Sequence, residues 1–242
     1  MSSYRERIYK DYSANFQDLK PTFDEIAKRR WGRAYDYYFR NWLPPSKDAA
    51  IVDLACGGGA LLYFFKERGY TNLTGVDISP PQVALSKQVI PNVVESSVLD
   101  FLESNPGQFD LITGLDIAEH FNKDELLRFL DGVRGALKPG GRVILQTING
   151  DTPWASNMRY HDLTHEVGFT PNVLCRLLKM CGFEKPEPRE NSPALGYSFI
   201  ATLRALLWQC IRWKLMFWNY VETGEPGDRV FTRCFLISAV RK

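Results

Sequence analysis

"IVDLACGGGALL", Ile51 to Leu62, is the stretch whose reading decides the fold. Its first half is an apolar run interrupted by Asp53, the pattern of a strand buried on both faces. Three glycines follow, Gly57 to Gly59, and then apolar residues at helical spacing. A buried strand that turns through glycines into a helix opens a parallel strand–helix–strand unit. Glycines let the backbone approach a ligand closely, and the helix start offers free N–H groups. In a doubly wound sheet such a turn lies at the carboxyl edge, where ligands bind.

The alternation continues on both sides of this stretch. "GALLYFFKERG" reads as a helix stopped by Gly69. "NLTGVDIS" is a second strand, and "SPPQVALSKQVI" is a second helix with Ser79 as N-cap and Pro80 and Pro81 in its first turn. "NVVESSVLDF" contains a third strand and "FDLITGLDI" is a fourth. "NKDELLRFLDGVRGALKPGG" has helical apolar spacing closed by "KPGG", and "RVILQTIN" is a fifth strand. After it, Asn149 to Thr170 reads as a long polar and aromatic loop, a length associated with function or mobility. Thr170-Pro171 caps the helix "PNVLCRLLKMCG". "FEKPEPRE" is a sixth strand, one or two helices span Ser198 to Tyr220, and "RVFTRCFLISAVRK" is the last strand. The expected fold is α/β, a Rossmann-like doubly wound sheet of about seven strands with a helical insertion before the last.

The division expected is an N-terminal helical cap over residues 1–45, ended by "LPP", and a ligand-binding domain over residues 46–242. Within the domain, residues 149–170 form an acceptor loop and residues 196–224 the helical insertion. With 242 residues, the chain can bury a sizeable core. The apolar fraction of 45% and charged fraction of 24% are ordinary for a globular protein. A net charge of +2 on interspersed Lys, Arg, Asp and Glu gives no reason to expect a nucleic-acid partner. Five cysteines without a CxxC pair argue against a disulfide framework and structural zinc. With no apolar leader in "MSSYRERIYKDYSANFQDLK", the expected location is the reduced cytoplasm.

The glycine turn must be typed. Dinucleotide enzymes use GxGxxG, whereas Gly57-x-Gly59 is followed by Leu62. Asp53 ahead of the glycines would repel a pyrophosphate but suits a cationic or amino-acid-bearing ligand. Asp77, at the end of the next strand, suits a ribose diol. A bare strand-to-helix turn without a ligand is the plainer alternative.

Taken together, "IVDLACGGGALLYFFKERGYTNLTGVDIS", "SVLDF", "FDLITGLDIAEHF" and "LLRFLDGVRGALKPGGRVILQTIN" resemble the motifs of class I S-adenosylmethionine-dependent methyltransferases over about Ile51 to Asn149. One departure is Ala55, where many members have Gly. The resemblance implies S-adenosylmethionine as cofactor. It puts Gly57 and Gly59 against the methionine part, with Asp53 and Ala55 nearby, Asp77 on the ribose and Ile78 beside the adenine. It also puts Asp100 on the adenine amino group, Phe101 beside the ring, and Leu115 with Asp116 at the methionine end. For Asp100, a helix-cap role is the alternative. A nicotinamide oxidoreductase and a non-catalytic cofactor-binding protein are the rival functions.

Methyl transfer to a hydroxyl gains from a general base. The chain has three histidines. His161 and His165, in "RYHDLTHEVGFTP", follow the fifth strand onto the same edge, with Asp162 or Glu166 able to orient a ring. The leading reading makes His165 or His161 the base, helped by Asp162. A polar structural loop and a metal pair at i and i+4 are the alternatives, and no metal is assigned. His120 is an acceptor-side candidate or a packing residue. The stretch Asn149 to Phe183 resembles methyltransferases encoded with bacterial surface-polysaccharide and glycolipid enzymes. That implies a sugar hydroxyl on a glycan, glycolipid or glycosyl metabolite, with Trp154, Tyr160 and Phe169 packing on sugar faces and Glu166 among the acceptor contacts. The alternative acceptor is a quinone, lipid or amine. Tyr35, Tyr37, Tyr38 and Trp42 are expected to cover the cofactor side. Residues 199–221, aromatic and sparsely basic, read as a lid, a homodimer interface or a membrane-contacting helix.

Overall fold

The computed structural model describes residue 8, residues 22–194 and residues 198–242. Apart from residue 8, the cap before residue 22 therefore lies outside the described residues, as do residues 196–197 of the insertion. The first helix described, α1, spans Glu25–Tyr38 and is capped by the Asp24 side chain on the Ala27 amide. Then follow β1 (Ile51–Leu54), α2 (Ala60–Glu67), β2 (Leu73–Asp77), α3 (Pro80–Ser86), β3 (Val93–Glu95) and α4 (Val98–Ser104). After these come β4 (Phe109–Leu115), a 3₁₀ turn (Ala118–His120), α5 (Lys123–Ala136), β5 (Leu137–Ile148), α6 (Ala155–Tyr160), α7 (Pro171–Met180), β6 (Phe183–Glu190), α8 (Phe199–Thr223) and β7 (Cys234–Arg241).

The seven strands form one sheet in the order β3-β2-β1-β4-β5-β7-β6. The first five pair in parallel, and β7 runs antiparallel between β5 and β6. The chain builds outward from β1 to β3, then crosses back to place β4 on the other side of β1. Strand order reverses there, and the crevice outside the carboxyl ends of β1 and β4 is where doubly wound sheets take ligands.

Period-2 alternation along the central strands feeds two cores. Val52, Leu54, Val76 and Ile112 face a layer containing Phe129, Leu130, Leu174 and Leu178 from α5 and α7. Ile51, Leu73 and Leu111 face the other layer, which contains Leu61, Leu62, Phe64 and Phe65 of α2 with Tyr35, Phe39 and Trp42. The aromatic N-terminal segment is thus part of the core on the α2 side. It is fastened by ion pairs of Arg29 with Glu67 at 2.8 Å and Arg68 with Asp36 at 2.5 Å.

Several local expectations gain a mechanism. Gly69 ends α2 at φ +82, and Thr170 caps α7 by accepting from the Val173 amide at 3.3 Å. Ser79 occupies the N-cap of α3, but its side chain makes no capping bond. Its amide donates instead to the Asp77 carboxylate at 2.9 Å. "KPGG" does not follow the helix as a free turn. The chain leaves α5 at Ala136 and enters β5 at once, with Leu137 paired to Phe109 across a bulge. The stretch Asn149 to Thr170 is not structureless either. It holds α6 and is pinned by an Asn149–Phe169 bridge. The insertion is one helix of 25 residues, capped by Ser198 and closed by Gly224 at φ 80.

Gly75, on β2, shows how tightly the α2 layer is set. A Cβ there would lie 2.7 Å from Leu62 Cδ1 and 3.0 Å from Cys56 Sγ. Gly75→Ala is expected to lose about 1–3 kcal/mol through overpacking. The measurement is the urea midpoint at unchanged m; a midpoint equal to the parent's would mean that the layer yields freely.

Candidate active site at the switch point

The glycine turn is held from below by the next strand. The Cys56 amide donates to the Val76 carbonyl at 3.0 Å, and the Gly57 amide donates to Asp77 Oδ2 at 2.8 Å. Asp77 Oδ1 takes the Ser79 amide. The carboxylate is 8% exposed. Burial pushes its pKa up, while the amides of Ser79, Gly57 and Ile78 pull it down. A carboxylate can accept about four hydrogen bonds, so lone pairs remain for a diol. Gly57 and Gly59 sit at φ +50 and +82, a region open to glycine. A Cβ on Gly59 would also approach Ser86 Oγ to 2.8 Å.

Two non-glycine residues share the left-handed conformation at this edge. Ala55, just after β1, has φ 52, and Asp116, just after β4, has φ 55. Each such position costs about 1–3 kcal/mol and tends to cluster at functional sites. Beneath them Asp53 is 3% exposed and accepts the Thr113 hydroxyl at 2.7 Å. Burial raises the Asp53 carboxyl to about 7, with the nearby Asp77 charge adding to the rise and the Thr113 bond opposing it. Gln146, on β5, donates to both Asp116 oxygens at 3.0 and 2.9 Å and accepts from Tyr35 and Asn191. Tyr35 of α1 is within electrostatic reach of both Asp53 and Asp116. The floor of the crevice is therefore acidic, with part of its charge suppressed by burial.

Beside this floor the structure gathers all three histidines. The ring of His165 lies 4.9 Å from that of His120 and 5.2 Å from that of His161. His161 Nδ1 and His165 Nδ1 both meet the Met158 carbonyl, at 2.9 and 3.0 Å. A carbonyl only accepts, so both rings carry their proton on Nδ1 and leave Nε2 basic when neutral. Asp162 accepts both the amide and the hydroxyl of Thr164, and the Thr164 oxygen meets His120 Nδ1 at 2.9 Å. The same logic puts the His120 proton on Nδ1. Burial lowers the pKa of His165, against the Met158 bond and the Asp162 charge. Glu119 is 1% exposed and accepts the Thr147 hydroxyl at 2.9 Å. Burial first, then the Asp116 charge, raises it to about 8. Glu119, His120 and His165 each offer an atom within 4.8 Å of the others, a set able to ligate a divalent cation.

Asp53, Ala55, Gly57, Gly59, Asp77 and Leu115 all lie at this carboxyl edge, and Ile78 beside them is 64% exposed. Two expected residues, Asp100 and Phe101, sit in the helix that follows the carboxyl end of β3. Asp100 falls on the third position of α4, which starts after Ser97, and its 71% exposed side chain is 3.8 Å from Arg128. Ser96 and Ser97, not Asp100, follow the end of β3. Phe101 is 8% exposed, packed in the core 6.0 Å from the Phe109 ring. Phe169 is core as well, 1% exposed. Trp154 is exposed at the start of α6 with the Arg233 guanidinium 5.1 Å from its ring centroid, and Tyr160 is 78% exposed. Glu166 is tied through its backbone to Glu119 and Arg159. Sequence reasoning named none of Gln146, Thr164 and Glu119 as site residues, and it expected Tyr35 only as part of the cover on the cofactor side. A polar Gln inside "VILQTIN" and the acid beside His120 were the available signals.

A family model described as a methyltransferase domain matches residues 23–186. A ubiquinone biosynthesis O-methyltransferase from Pseudomonas aeruginosa (strain UCBPP-PA14) is 31% identical over 144 residues, covering 52% of this chain and 61% of that protein. One from Dechloromonas aromatica (strain RCB) is similar to the same degree over the same shares. The chain thus spans about three fifths of the length of these relatives. Among solved structures, an S-adenosylmethionine-dependent methyltransferase from Archaeoglobus fulgidus superposes with a TM-score of 0.65 at 21% identity, covering 96% of this chain and 99% of that one. At that identity the likeness shows the fold, the seven-stranded Rossmann-like sheet. The relatives named carry a quinone-pathway title, so the expected resemblance to polysaccharide methyltransferases has no counterpart among them.

Asp53 gives a pH test of the crevice floor. Its folded pKa, about 7, lies above the ordinary 3.8. The folded state therefore keeps a proton that the unfolded chain has lost, and stability falls as pH rises between those values. The loss is on the order of 4 kcal/mol by pH 7. Asp53→Asn can still accept from Thr113 but cannot ionise. Its Tm is expected several degrees above the parent's at pH 8 and close to it near pH 4. Equal Tm differences at both pH values would refute the assignment.

Proposed function

The chain belongs to the methyltransferase-domain family, and from that premise we propose that it transfers the methyl group of S-adenosylmethionine to a phenolic hydroxyl of a quinone precursor, with His165 as general base. The observation that carries this reading is the histidine cluster. It lies on the carboxyl edge between the ends of β4 and β5, with a basic Nε2 on a ring that burial keeps neutral. The titles of the two relatives favour a quinone-pathway acceptor over a sugar.

The energetics agree. A phenol ionises near 10 and imidazole near 6.5, a gap of about 3.5 units or about 5 kcal/mol. An aliphatic hydroxyl as acidic as water, ~15.7, sits about 9 units above imidazole, or about 12 kcal/mol. An imidazole alone can serve the first acceptor far better than the second. The residues suit the donor as well. Asp77 keeps lone pairs for a ribose diol, the positive-φ turn at Gly57 admits close backbone approach, and the acidic floor of Asp53 and Asp116 suits a cationic ligand. Bound there, S-adenosylmethionine supplies an electrophilic methyl on a sulfonium. The chain's own tasks are to orient the acceptor, exclude water and take its proton at His165 Nε2, while Met158 holds the ring from Nδ1.

The test is labelled S-adenosylmethionine with a panel of catechols, polyprenylated phenols, glycosides and amines. Turnover confined to glycosides would sink the phenol reading. His165→Asn is expected to lower kcat by about 10²–10⁴ with cofactor affinity unchanged. In the parent, kcat/KM should rise from the acid side with an apparent pKa below 6.5, and that limb should vanish in the variant. Unchanged turnover in His165→Asn would remove it from the role of base.

A second reading rests on the Glu119, His120 and His165 set. A divalent cation held there would stabilise the acceptor's oxyanion by Lewis acidity. Dialysis against EDTA followed by Mg²⁺ or Zn²⁺ add-back separates the two. Turnover insensitive to chelation supports the imidazole alone, and loss with metal rescue supports the cation.

A further inference from the structure

Helix α8 departs from the rule that an amphipathic helix turns its apolar face inward. Its packed side is narrow and partly polar. Among the described residues only Ala205 is buried, and Trp208 and Arg212 reach Glu190 at 3.1 Å each. More than half of the exposed large hydrophobic side chains of the described residues stand on its outward side. Phe199, Leu206, Trp213, Phe217, Trp218 and Tyr220 are between 57% and 83% exposed. At 100° per residue they spread over one broad stripe, from about 60° to about 220° around the axis from Ala205, running the length of the helix. Lys214 stands inside that stripe and Arg204 on its margin, both exposed, while the helix's one acid, Glu222, is near its end.

A continuous exposed stripe of this size marks a docking surface. Charge chooses among occupants. An apolar field with Lys214 inside it and its one acid, Glu222, confined to the last turn, where it accepts from Trp218, complements an anionic lipid headgroup layer. A second copy of the same helix would set Lys214 against a like-charged apolar stripe. Trp and Tyr with a neighbouring Lys are the residues of a membrane interface. The helix is not one that crosses: none among the described residues is long and apolar enough to span a bilayer. It therefore fits a helix lying in the plane of the surface.

The helix is also tied to the catalytic edge. Glu190, at the end of β6, holds Trp208 and Arg212 on one side and the Phe231 amide on the other. The next residue, Asn191, donates to Gln146, which holds Asp116. We propose that the outward stripe of α8 docks this protein onto an anionic lipid surface, with the catalytic edge held beside the bilayer. Docking does not depend on which acceptor is methylated, and its test contains no turnover.

The full chain is mixed with vesicles of phosphatidylglycerol and phosphatidylcholine, or of phosphatidylcholine alone, and sedimented. Binding is expected to the anionic vesicles, weakening with added salt. Brominated acyl chains should quench tryptophan fluorescence of the unmodified protein. Trp213→Glu with Phe217→Glu should lower vesicle affinity at least tenfold, and Lys214→Ala about fivefold. Both sets lie on exposed positions, and a thermal melt matching the parent's shows that the fold persists. Should the double variant fail that melt, the quenching of the parent protein decides alone. The proposal is overturned if the parent neither sediments nor is quenched. It is equally overturned if sedimentation velocity shows a stable dimer that the double variant abolishes while vesicles bind neither protein.

Discussion

The hydrogen bond from the Gly57 amide to the Asp77 carboxylate, 2.8 Å long, is the constraint on which the site depends. It locks the turn after β1 to the end of β2, across the pair of strands that begins the sheet. Two oxygens that would otherwise need water are satisfied by backbone amides of Gly57 and Ser79. A buried carboxylate is tolerable only on those terms. The same pair of bonds fixes the position of the Asp77 carboxylate at the mouth of the crevice.

From that anchor the electrostatics follow. Carboxyl groups at Asp53, Asp77 and Glu119 are all pushed up, in each case mainly by burial. Burial therefore holds part of the negative charge at this edge in check. The strain at Ala55 and Asp116 fits the same picture, since both strands that flank the reversal end in a left-handed residue. Stability given up at this edge is regained in the two layers, where Phe64, Phe65 and Phe129 are fully buried.

Much of the fold was legible because many of its elements carried a local signal. The buried strand ahead of Gly57, the proline-started helix and the Gly69 stop each have a steric cause that acts within a few residues. The antiparallel β7 was not legible in this way. Its apolar run reads alike in either direction, and only its pairing between β5 and β6 fixes the sense. Asp100 shows a similar limit at the site. The sequence places an acid after β3, and only the structure shows it exposed in the first turn of α4, 3.8 Å from Arg128.

The sequence by itself determined the glycine turn, the acid that follows it and the edge of the sheet on which both stand. Those features depend on backbone freedom and on hydrophobic period, which neighbouring residues encode. Only the tertiary structure decided the chemistry of the histidines. His120 and His165 are far apart in the chain, and the loop after β5 folds back to set their rings 4.9 Å apart. The Met158 carbonyl, not a carboxylate, fixes the protons of His161 and His165, and Asp162 acts through Thr164 on His120. Proton position is set by partners across space, and no residue's neighbours in sequence can specify it.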